Sequence, residues 1–225
     1  RYIMKLNEYI DHTNLKSTAT RFDIEKLCSE AAYWKFASVC VNPVNVPLAK
    51  ALLNGTDVKV CTVIGFPLGA NSVRIKMAEA EEALTNGCDE FDMVINLAAL
   101  KERRYSFVVD EIESVKHVIC GKTLKVIIET GLLTEHEKEM AVKLVCETEA
   151  DFVKTCTGFT EGKATVKDVD LLKRNVDLFE CTLVKASGGI RTYEEAAALI
   201  AAGASRLGTS SGVKIMQQAI DAGAI

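Results

Sequence analysis

Residues 58–64 read Val-Lys-Val-Cys-Thr-Val-Ile, and residues 124–128 read Leu-Lys-Val-Ile-Ile. Both stretches are near-continuous apolar runs rich in β-branched residues, which is a composition typical of β-strands. Parallel sheets contain such runs because helices cover both faces of the sheet. We therefore expect the two runs to be strands of a parallel α/β fold.

Short runs of this kind recur along the whole chain and alternate with longer amphipathic segments. The predicted strands are Tyr9–Thr13, Ser38–Val41, Val58–Ile64, Glu90–Ile95, Leu124–Glu129, Asp151–Thr155, Cys181–Ala186 and Ser205–Gly208. The predicted helices span residues 20–36, 43–53, 72–87, 100–119, 134–148, 164–175, 192–202 and 211–221. Eight strand-then-helix units favour a closed (β/α)8 TIM barrel. The alternative, an open doubly wound sheet, usually has a G-x-G-x-x-G turn after its first strand, and this chain has none there.

The length and the even alternation of elements predict one domain. The chain has 225 residues, and eight-fold barrels typically need about 250 residues but tolerate about 200. No Pro-, Gly- or Ser-rich linker divides the sequence, so we expect residues 1–225 to form a single TIM-barrel domain. Thr134, followed by Glu137, predicts a capping box at the start of the fifth helix.

The composition argues against several classes of partner. The chain has 27 basic and 31 acidic side chains, a formal net charge of −4, and no basic block of the kind that binds nucleic acid. No run approaches 18 apolar residues, so we expect no membrane span. The eight cysteines include no C-x-x-C pair, and we expect reduced thiols in a cytoplasmic protein. They are Cys28, Cys40, Cys61, Cys88, Cys120, Cys146, Cys156 and Cys181.

Two neighbouring predicted strands each carry a lysine near the carboxyl end, where barrel enzymes build their active sites. Lys154 lies in Asp-Phe-Val-Lys-Thr at 151–155, and Lys185 lies in Thr-Leu-Val-Lys-Ala at 182–186. A lysine that faced the helix layer would bury its ammonium group among apolar side chains at a high cost. We therefore expect both lysines to point into the barrel mouth. The alternative is that one of them forms a purely structural pair with a carboxylate.

Paired lysines of this kind are typical of Schiff-base chemistry. A lysine amine attacks a carbonyl carbon only when it is deprotonated, and its ordinary pKa is about 10.4. Burial and a second cation both lower that pKa. At about 4 Å and an effective dielectric constant near 20, a like charge contributes on the order of 4 kcal/mol, or roughly three pKa units. The residues alone do not decide which of the two lysines attacks.

Asp92 is the carboxylate that we expect beside these lysines. If it points into the barrel, the alternation of a strand turns the bulky Phe91, Met93 and Ile95 toward the helices. A carboxylate inside a barrel is costly unless it is paired, and the two lysines are its predicted partners. We predict that Asp92 moves protons during the reaction. A purely structural salt bridge is the alternative.

Glycine- and serine-rich turns follow the last three predicted strands and predict a phosphate site. Loops after strands seven and eight, together with a helix N-terminus, form the recurrent phosphate site of these barrels. Glycine lets backbone N–H groups approach the anion closely, and the helix dipole adds favourable charge. The alternative is ordinary turn chemistry with an N-cap. The predicted phosphate residues are Thr157, Gly158, Ser187, Gly188, Gly189, Gly208, Ser210 and Ser211.

We expect neither a metal ion nor another cofactor. The three histidines, at positions 12, 117 and 136, fall at one strand end and on two helices. They are not expected to converge on one ion, which argues against a zinc-dependent aldolase mechanism. The chain also lacks a G-x-S-x-G nucleophile elbow.

Six strings of residues, in this order, resemble the deoxyribose-phosphate aldolase family over about residues 6–216. They are Tyr-Ile-Asp-His-Thr at 9–13, Ser-Val-Cys-Val-Asn-Pro at 38–43, Thr-Val-Ile-Gly-Phe-Pro-Leu-Gly at 62–69, Glu-Phe-Asp-Met-Val-Ile-Asn at 90–96, Val-Lys-Thr-Cys-Thr-Gly-Phe at 153–159 and Val-Lys-Ala-Ser-Gly-Gly-Ile-Arg at 184–191. One departure is Cys156, which stands where the family's Lys-Thr-Ser-Thr-Gly string has a serine.

The resemblance implies a class I aldolase that reversibly cleaves 2-deoxy-D-ribose 5-phosphate to D-glyceraldehyde 3-phosphate and acetaldehyde, in the catabolism of deoxyribose phosphates. It assigns Lys154 as the Schiff-base lysine, Lys185 as the lysine that perturbs it and Asp92 as the proton relay. It makes Asp11 and Cys40 further pocket positions, and it turns Lys185 and the glycines and serines at 188, 189, 210 and 211 toward the phosphate. A homodimer would be unsurprising in this family.

Two other functions are compatible with the same residues. One is another Schiff-base aldolase, or a transaldolase, that acts on a different sugar phosphate. The other is a non-catalytic barrel that binds a sugar phosphate as a sensor. Two lysines and an aspartate at the barrel mouth are more than binding alone requires, which favours an enzyme.

Overall fold

The computed structural model describes residues 5–180 and 182–225. Within these ranges, eight parallel strands are hydrogen-bonded in chain order, and the last strand pairs with the first to close the sheet. The strands are β1 (Ile10–Asn14), β2 (Ser38–Val41), β3 (Lys59–Ile64), β4 (Glu90–Val94), β5 (Thr123–Ile127), β6 (Phe152–Lys154), β7 (Leu183–Ser187) and β8 (Arg206–Thr209). The predicted TIM barrel is confirmed.

Helices follow the strands and surround the barrel. They are α1 (Arg21–Trp34), α2 (Val46–Leu52), α3 (Val73–Thr85), α4 (Leu97–Lys101), α5 (Tyr105–Val118), α6 (Glu135–Cys146), α7 (Val166–Phe179), α8 (Tyr193–Ala201) and α9 (Gly212–Asp221), with short 3₁₀ helices at Leu6–Tyr9, Pro43–Asn45 and Thr130–Leu132. Among these described helices, none is long and apolar enough to cross a membrane. The predicted capping box is present, because the Thr134 hydroxyl accepts from the Glu137 N–H and the Glu137 carboxylate accepts from the Thr134 N–H.

The predicted helices differ from the observed ones by up to three residues at their ends, and two of them differ by more. The predicted helix at 100–119 is two helices, α4 and α5, because the chain takes a left-handed conformation at Arg103 (φ 57°) and the Arg104 N–H bonds back to the Ala99 carbonyl. The predicted helix at 164–175 is α7, which continues to Phe179. The predicted strands differ from the observed ones by one or two residues at their ends. Cys181, the predicted start of the seventh strand, lies outside the described residues.

The apolar core lies between the sheet and the helices rather than inside the barrel. Phe91, Met93 and Ile95 are fully buried in this layer, together with apolar side chains of the surrounding helices. Between them, Asp92 points to the barrel interior, as the alternation predicted. Charged side chains therefore occupy much of the space inside the barrel.

The cysteines correct one prediction. Cys146 is disulfide-bonded, so the expectation that all eight cysteines are reduced thiols is wrong there. The absence of a C-x-x-C pair excludes only local pairing, because spacing along the chain does not report which remote residues meet in the fold. The free cysteines of the described residues are Cys28, Cys40, Cys61, Cys88, Cys120 and Cys156.

A buried ion pair outside the barrel ties two helices to the carboxyl end of β4. Lys76 on α3 donates to Glu111 on α5 at 2.6 Å and to the Val94 carbonyl at 2.8 Å, and both charged side chains are fully buried. The second carboxylate oxygen of Glu111 accepts from the backbone N–H of Asn96 at 2.8 Å. Burial lowers the pKa of Lys76 and raises that of Glu111, so each group needs the other to remain charged.

We expect Lys76→Met to lower the free energy of unfolding by about 3–5 kcal/mol, because it leaves the Glu111 charge buried without its partner. Lys76→Met combined with Glu111→Gln should recover most of this loss, since the glutamine still accepts from Asn96. Lys101→Met, which breaks the more exposed Lys101–Glu137 pair, should cost less than about 1 kcal/mol. Urea unfolding measures all three. A single Lys76 variant as stable as the wild type would show that the buried pair does not hold the two helices.

Candidate active site

Strand alternation and register place an ordered set of charges inside the barrel. Asp92 on β4 is the register partner of Lys125 on β5, and Lys154 on β6 is that of Lys185 on β7. Lys185 in turn is opposite Arg206 on β8. Side chains at register-paired positions on neighbouring strands point to the same face, so these five groups meet in the barrel interior.

Asp92 contacts both of the lysines that were predicted from the sequence. Lys154 Nζ and Lys185 Nζ each lie 2.7 Å from the same atom, Asp92 Oδ2. The two nitrogens are therefore separated by no more than twice that distance. Burial raises the pKa of Asp92, but Lys125, Lys154 and Lys185 outweigh burial and hold it well below its ordinary value. The carboxylate is thus fixed in its charged form.

Lys185 is the more buried of the two lysines and contacts more carboxylates. It is fully buried and also donates to Asp11 Oδ2 at 2.5 Å. Burial lowers its pKa, but Asp11 and Asp92 outweigh burial, and the pKa lies above its ordinary value. Lys154 is 3% exposed, lines the cavity at the mouth and contacts Asp92. The two lysines therefore differ both in access to the cavity and in the carboxylates that hold them.

Three charged residues of the interior were not predicted from the sequence: Lys125, Glu90 and Arg206. Lys125 Nζ lies 2.6 Å from Glu90 Oε2 and 3.0 Å from Asp92 Oδ1. Arg206 donates to Asp11 Oδ1 at 2.7 Å and to Glu90 Oε2 at 2.9 Å. Alternation was an available signal, since Glu90 lies two residues before Asp92 and therefore on the same face. All three residues lie before the carboxyl ends of their strands, where catalytic groups were expected.

The charges of this cluster do not cancel. It contains four bases and three acids, so one cation has no carboxylate of its own. The acids are Asp11, Glu90 and Asp92, and the bases are Lys125, Lys154, Lys185 and Arg206. Burial of a surplus cation is costly, and loss of one proton from an amine removes the surplus.

Asp11 and Cys40, two further predicted pocket positions, lie beneath the cavity. Asp11 is fully buried, and its oxygens accept from Ser38, Lys185 and Arg206. Cys40 is 1% exposed and packs in a small apolar cluster with Leu15 and Cys61. Neither residue is among those that line the cavity. Contact of Asp11 or Cys40 with a substrate stays a prediction.

A cavity of about 910 Å³ opens at the carboxyl ends of the strands. Every residue predicted for the phosphate site lines it together with Lys154: Thr157, Gly158, Ser187, Gly188, Gly189, Gly208, Ser210 and Ser211. The cavity also has basic side chains that the sequence did not single out: Lys16, Lys26, Arg191 and Lys214. Helix α9 begins at this wall, so the positive end of its dipole faces the cavity rim.

The glycines after β7 have conformations that other residues rarely adopt. Gly188 and Gly189 have φ angles of 98° and 74°. A Cβ atom on Gly188 would lie 3.2 Å from Cys156 Cβ, and one on Gly189 would lie 3.1 Å from Lys163 Cβ. Gly208 serves a different purpose, because a Cβ there would lie 3.1 Å from Cε of Lys185. The glycines therefore allow a tight turn and a close approach to the lysine stem.

Hydrogen bonds join the loop after β6 to its neighbours on both sides. On one side, Ser187 Oγ donates to the Cys156 carbonyl at 2.5 Å. On the other, Glu129 accepts from the Thr157 hydroxyl at 2.5 Å and from the Thr157 N–H at 3.2 Å. Cys156 is fully buried, and its thiol lies 3.2 Å from Thr130 Oγ1. The cysteine that replaces the family's serine therefore faces the neighbouring loop after β5 and not the cavity.

His12, which lies near the end of the first predicted strand, does not join the charged cluster. Its Nε2 lies 2.7 Å from Glu30 Oε2 on α1, and Nδ1 has no hydrogen-bond partner among the residues described. Burial lowers the pKa of His12 although Glu30 opposes this, which favours a neutral ring that donates from Nε2. The side chain links β1 to α1 beside the cavity.

Comparison with known proteins gives one consistent family. The model described as DeoC/LacD family aldolase matches residues 6–218. The deoxyribose-phosphate aldolase of Carboxydothermus hydrogenoformans is 56% identical over 95% of this chain and 94% of its own length. A solved structure described as QR15, an aldolase, is 41% identical and superposes with a TM-score of 0.91, covering 96% of each chain. A tetrameric deoxyribose phosphate aldolase from Aeropyrum pernix is 34% identical, with a TM-score of 0.87 over 96% of this chain and 91% of its own.

We expect Lys125→Met to lower the free energy of unfolding by about 3–5 kcal/mol at neutral pH, because three buried carboxylates lose a shared cation. In the wild type, the folded-state pKa of Asp92 is below its ordinary value. Its stabilising contribution is therefore present above about pH 4 and is lost as the pH falls further. The variant's deficit should shrink in that acidic range. Urea unfolding from neutral to acidic pH measures it.

The matched control is Lys143→Met, which removes an exposed lysine of α6 and should change stability by less than about 0.5 kcal/mol. If Lys125→Met is as stable as this control, Lys125 does not hold the carboxylates.

Proposed function

We propose, because the chain belongs to the DeoC/LacD family of aldolases, that it reversibly cleaves 2-deoxy-D-ribose 5-phosphate to D-glyceraldehyde 3-phosphate and acetaldehyde. The observation that carries this proposal is the contact of Lys154 and Lys185 with one oxygen of Asp92, where Lys154 lines a cavity that glycine-rich loops also line. The lysines suit the carbonyl end of an open-chain sugar phosphate, and the loops suit its phosphate.

Lys154 is the nucleophile in this proposal. It lines the cavity, whereas Lys185 is fully buried and contacts two carboxylates. The raised pKa of Lys185 keeps it a cation. In the proposed reaction the free amine of Lys154 attacks C1 of the aldehyde.

Asp92 is positioned to move protons at each later step. The carbinolamine loses water to give a protonated Schiff base, which draws electrons as the C2–C3 bond breaks. The proton of the C3 hydroxyl leaves, D-glyceraldehyde 3-phosphate departs, and an enamine remains on Lys154. Protonation of the enamine carbon and addition of water then release acetaldehyde and restore the amine. Asp92, directly or through water, is the proposed proton acceptor and donor.

The phosphate group is proposed to bind at the loops after β7 and β8. Backbone N–H groups at Gly188, Gly189 and Ser210, the hydroxyl of Ser211 and the start of α9 supply donors and a favourable dipole. Arg191 and Lys214 add positive charge at the cavity rim. Because Lys154 and this site line the same cavity, one bound sugar phosphate can reach both of them.

Three further properties of the protein stay predictions. One is that the whole of residues 1–225 forms a single aldolase domain. Another is that two copies of this chain associate as a homodimer. The tetramer described above is a property of the Aeropyrum pernix protein. The third is that the enzyme works in the cytoplasm in the catabolism of deoxyribose phosphates. No nucleic acid and no cofactor enter the proposed reaction.

We expect acetaldehyde and borohydride to add a two-carbon unit to Lys154, which mass spectrometry of tryptic peptides would locate. Lys154→Ala should lower kcat by at least about a thousandfold, because the covalent route is lost. Its unfolding free energy should fall less than that of Lys125→Met, since Asp92 keeps Lys125 and Lys185 as partners. An adduct on Lys185 would reverse the assignment. Labelling by dihydroxyacetone in preference to acetaldehyde would instead support a different Schiff-base aldolase or a transaldolase.

We expect Gly189→Ala to raise the KM for 2-deoxy-D-ribose 5-phosphate about tenfold, equivalent to about 1.4 kcal/mol of binding. The added methyl group strains a positive φ angle and presses on Lys163. Activity on unphosphorylated 2-deoxy-D-ribose should change less than twofold. Gly121→Ala is the matched control, since its φ is also positive and open space surrounds it. An equal effect on both substrates would contradict a phosphate site at this loop.

A further inference from the structure

Two cysteines that the proposed reaction does not use lie side by side inside the barrel. Cys40 on β2 and Cys61 on β3 are register partners on hydrogen-bonded strands, so their side chains point to the same face. They are 1% and 0% exposed and share an apolar cluster with Leu15 and Val63. Both are free thiols in this structure.

The geometry of this pair suits a disulfide. Neighbouring strands lie about 4.8 Å apart, which falls within the range of about 4.4–6.8 Å between Cα atoms that a disulfide spans. The two sulfur atoms lie within 4.8 Å of each other. Side chains that point into a closed barrel converge, because the inside of a curved sheet is narrower than its backbone. A small rotation about each Cα–Cβ bond therefore brings the sulfurs together.

The pKa values of the two thiols shift in opposite directions, and the hydrogen bond between them contributes to both shifts. The Cys61 side chain lowers the pKa of Cys40 with the help of Lys185 and Lys154, whereas burial and Asp92 oppose this. Burial raises the pKa of Cys61 well above its ordinary value. Cys61 Sγ donates to Asp92 Oδ1 at 3.2 Å. Cys61, which donates to Asp92, is therefore the protonated partner, and Cys40 is the member that attacks the peroxide as a thiolate.

Metal binding is the other use of such a cluster, but its charges oppose it. Potential ligand atoms of Cys40, Cys61 and Asp92 lie within 4.8 Å of one another. Lys125 Nζ, however, is 3.3 Å from Cys61 Sγ and 3.0 Å from Asp92 Oδ1. Two further ammonium groups lie on Asp92 Oδ2. Positive charges this close to the ligand atoms repel a cation.

We propose that Cys40 and Cys61 are a redox-active dithiol, which hydroperoxides oxidise to an intrachain disulfide that inactivates the enzyme. The Cys40 thiolate attacks one oxygen of the peroxide, the O–O bond breaks, and a sulfenic acid forms with release of hydroxide. The Cys61 sulfur then attacks the Cys40 sulfur. The S–O bond breaks, the Cys61 proton joins the departing hydroxide, and water leaves. The hydroxide of the first step takes up the proton that Cys40 lost when it ionised, so in total two thiols are oxidised and one hydrogen peroxide is reduced to two waters.

The disulfide acts on the proposed active site through Asp92. When Cys61 bonds to Cys40, its sulfur no longer has a proton to donate to Asp92 Oδ1. The carboxylate loses one of its described donors, and the sulfur moves away from it toward β2. Because Lys154 and Lys185 are both held by this carboxylate, its reorientation displaces the two lysines together. A thiol reductant reverses the change.

The test oxidises the purified protein with hydrogen peroxide, blocks the remaining thiols under denaturing conditions and digests with trypsin without reduction. Cys40 and Cys61 fall on separate tryptic peptides, residues 36–50 and 60–74, each with one cysteine. We expect these two peptides to become linked, and the aldolase activity to fall at least tenfold at the same rate. Dithiothreitol should restore the activity. The disulfide that contains Cys146 is already present before oxidation and does not enter this measurement.

Variants then separate this pair from other thiols. Cys61→Ala should lose less than half of its own untreated activity under the same oxidation. Cys88→Ala, which removes a thiol of equal burial outside the barrel interior, should be inactivated like the wild type. Absence of the linked peptides overturns the proposal, as does linkage without loss of activity. The linkage does not depend on the proposed aldolase reaction, so a failure of one is distinguishable from a failure of the other.

Discussion

The structure depends on mutual neutralisation of charges that are buried inside the barrel. An isolated carboxylate or ammonium group in this position would be unstable, and each group is tolerated because it contacts a partner of opposite sign. Asp92 is central, since Lys125 contacts one of its oxygens and Lys154 and Lys185 contact the other. A structural ion network would balance its charges. This one has one base more than it has acids, which suits a reaction that begins with a neutral amine.

In the barrel fold, only a few residues separate this charge cluster from the loops proposed to bind phosphate. Lys185 is on β7, and Gly188 follows three residues later at the cavity wall. Lys154 is the last residue of β6, and Gly158 follows four residues later at the same cavity wall. Hydrogen bonds from Ser187 to the neighbouring loop hold the two turns in a fixed relation. The distance between a carbonyl carbon at Lys154 and a phosphate at these loops is therefore set by two adjacent strands.

The sequence predicted the barrel and most residues that line its cavity wall at Lys154, but not the charged residues beneath the cavity. Strand ends carry the residues that face a substrate, so their positions predicted Lys154, Lys185 and the turn glycines. Lys125, Glu90 and Arg206 lie deeper, and a single charged residue within an apolar run does not reveal which face it occupies. Alternation from Asp92 would have placed Glu90 inside, since the same argument correctly turned Phe91 and Met93 outward. The Cys146 disulfide and the break at Arg103 depend on tertiary contacts and on local backbone geometry, which periodicity does not report.

The low pKa of Asp92 must be reconciled with a role in proton transfer, because a carboxylate that resists protonation is a weak base. Three ammonium groups hold that pKa down in the resting protein. In the proposed reaction the attacking Lys154 carries no ammonium charge, so one of the three cations that oppose protonation of Asp92 is absent at that step. The raised pKa of Lys185 keeps the neighbouring cation in place, so protonation of Asp92 is still opposed and the proton can leave again. We therefore propose that Asp92 accepts a proton most readily at the step in which Lys154 is the nucleophile.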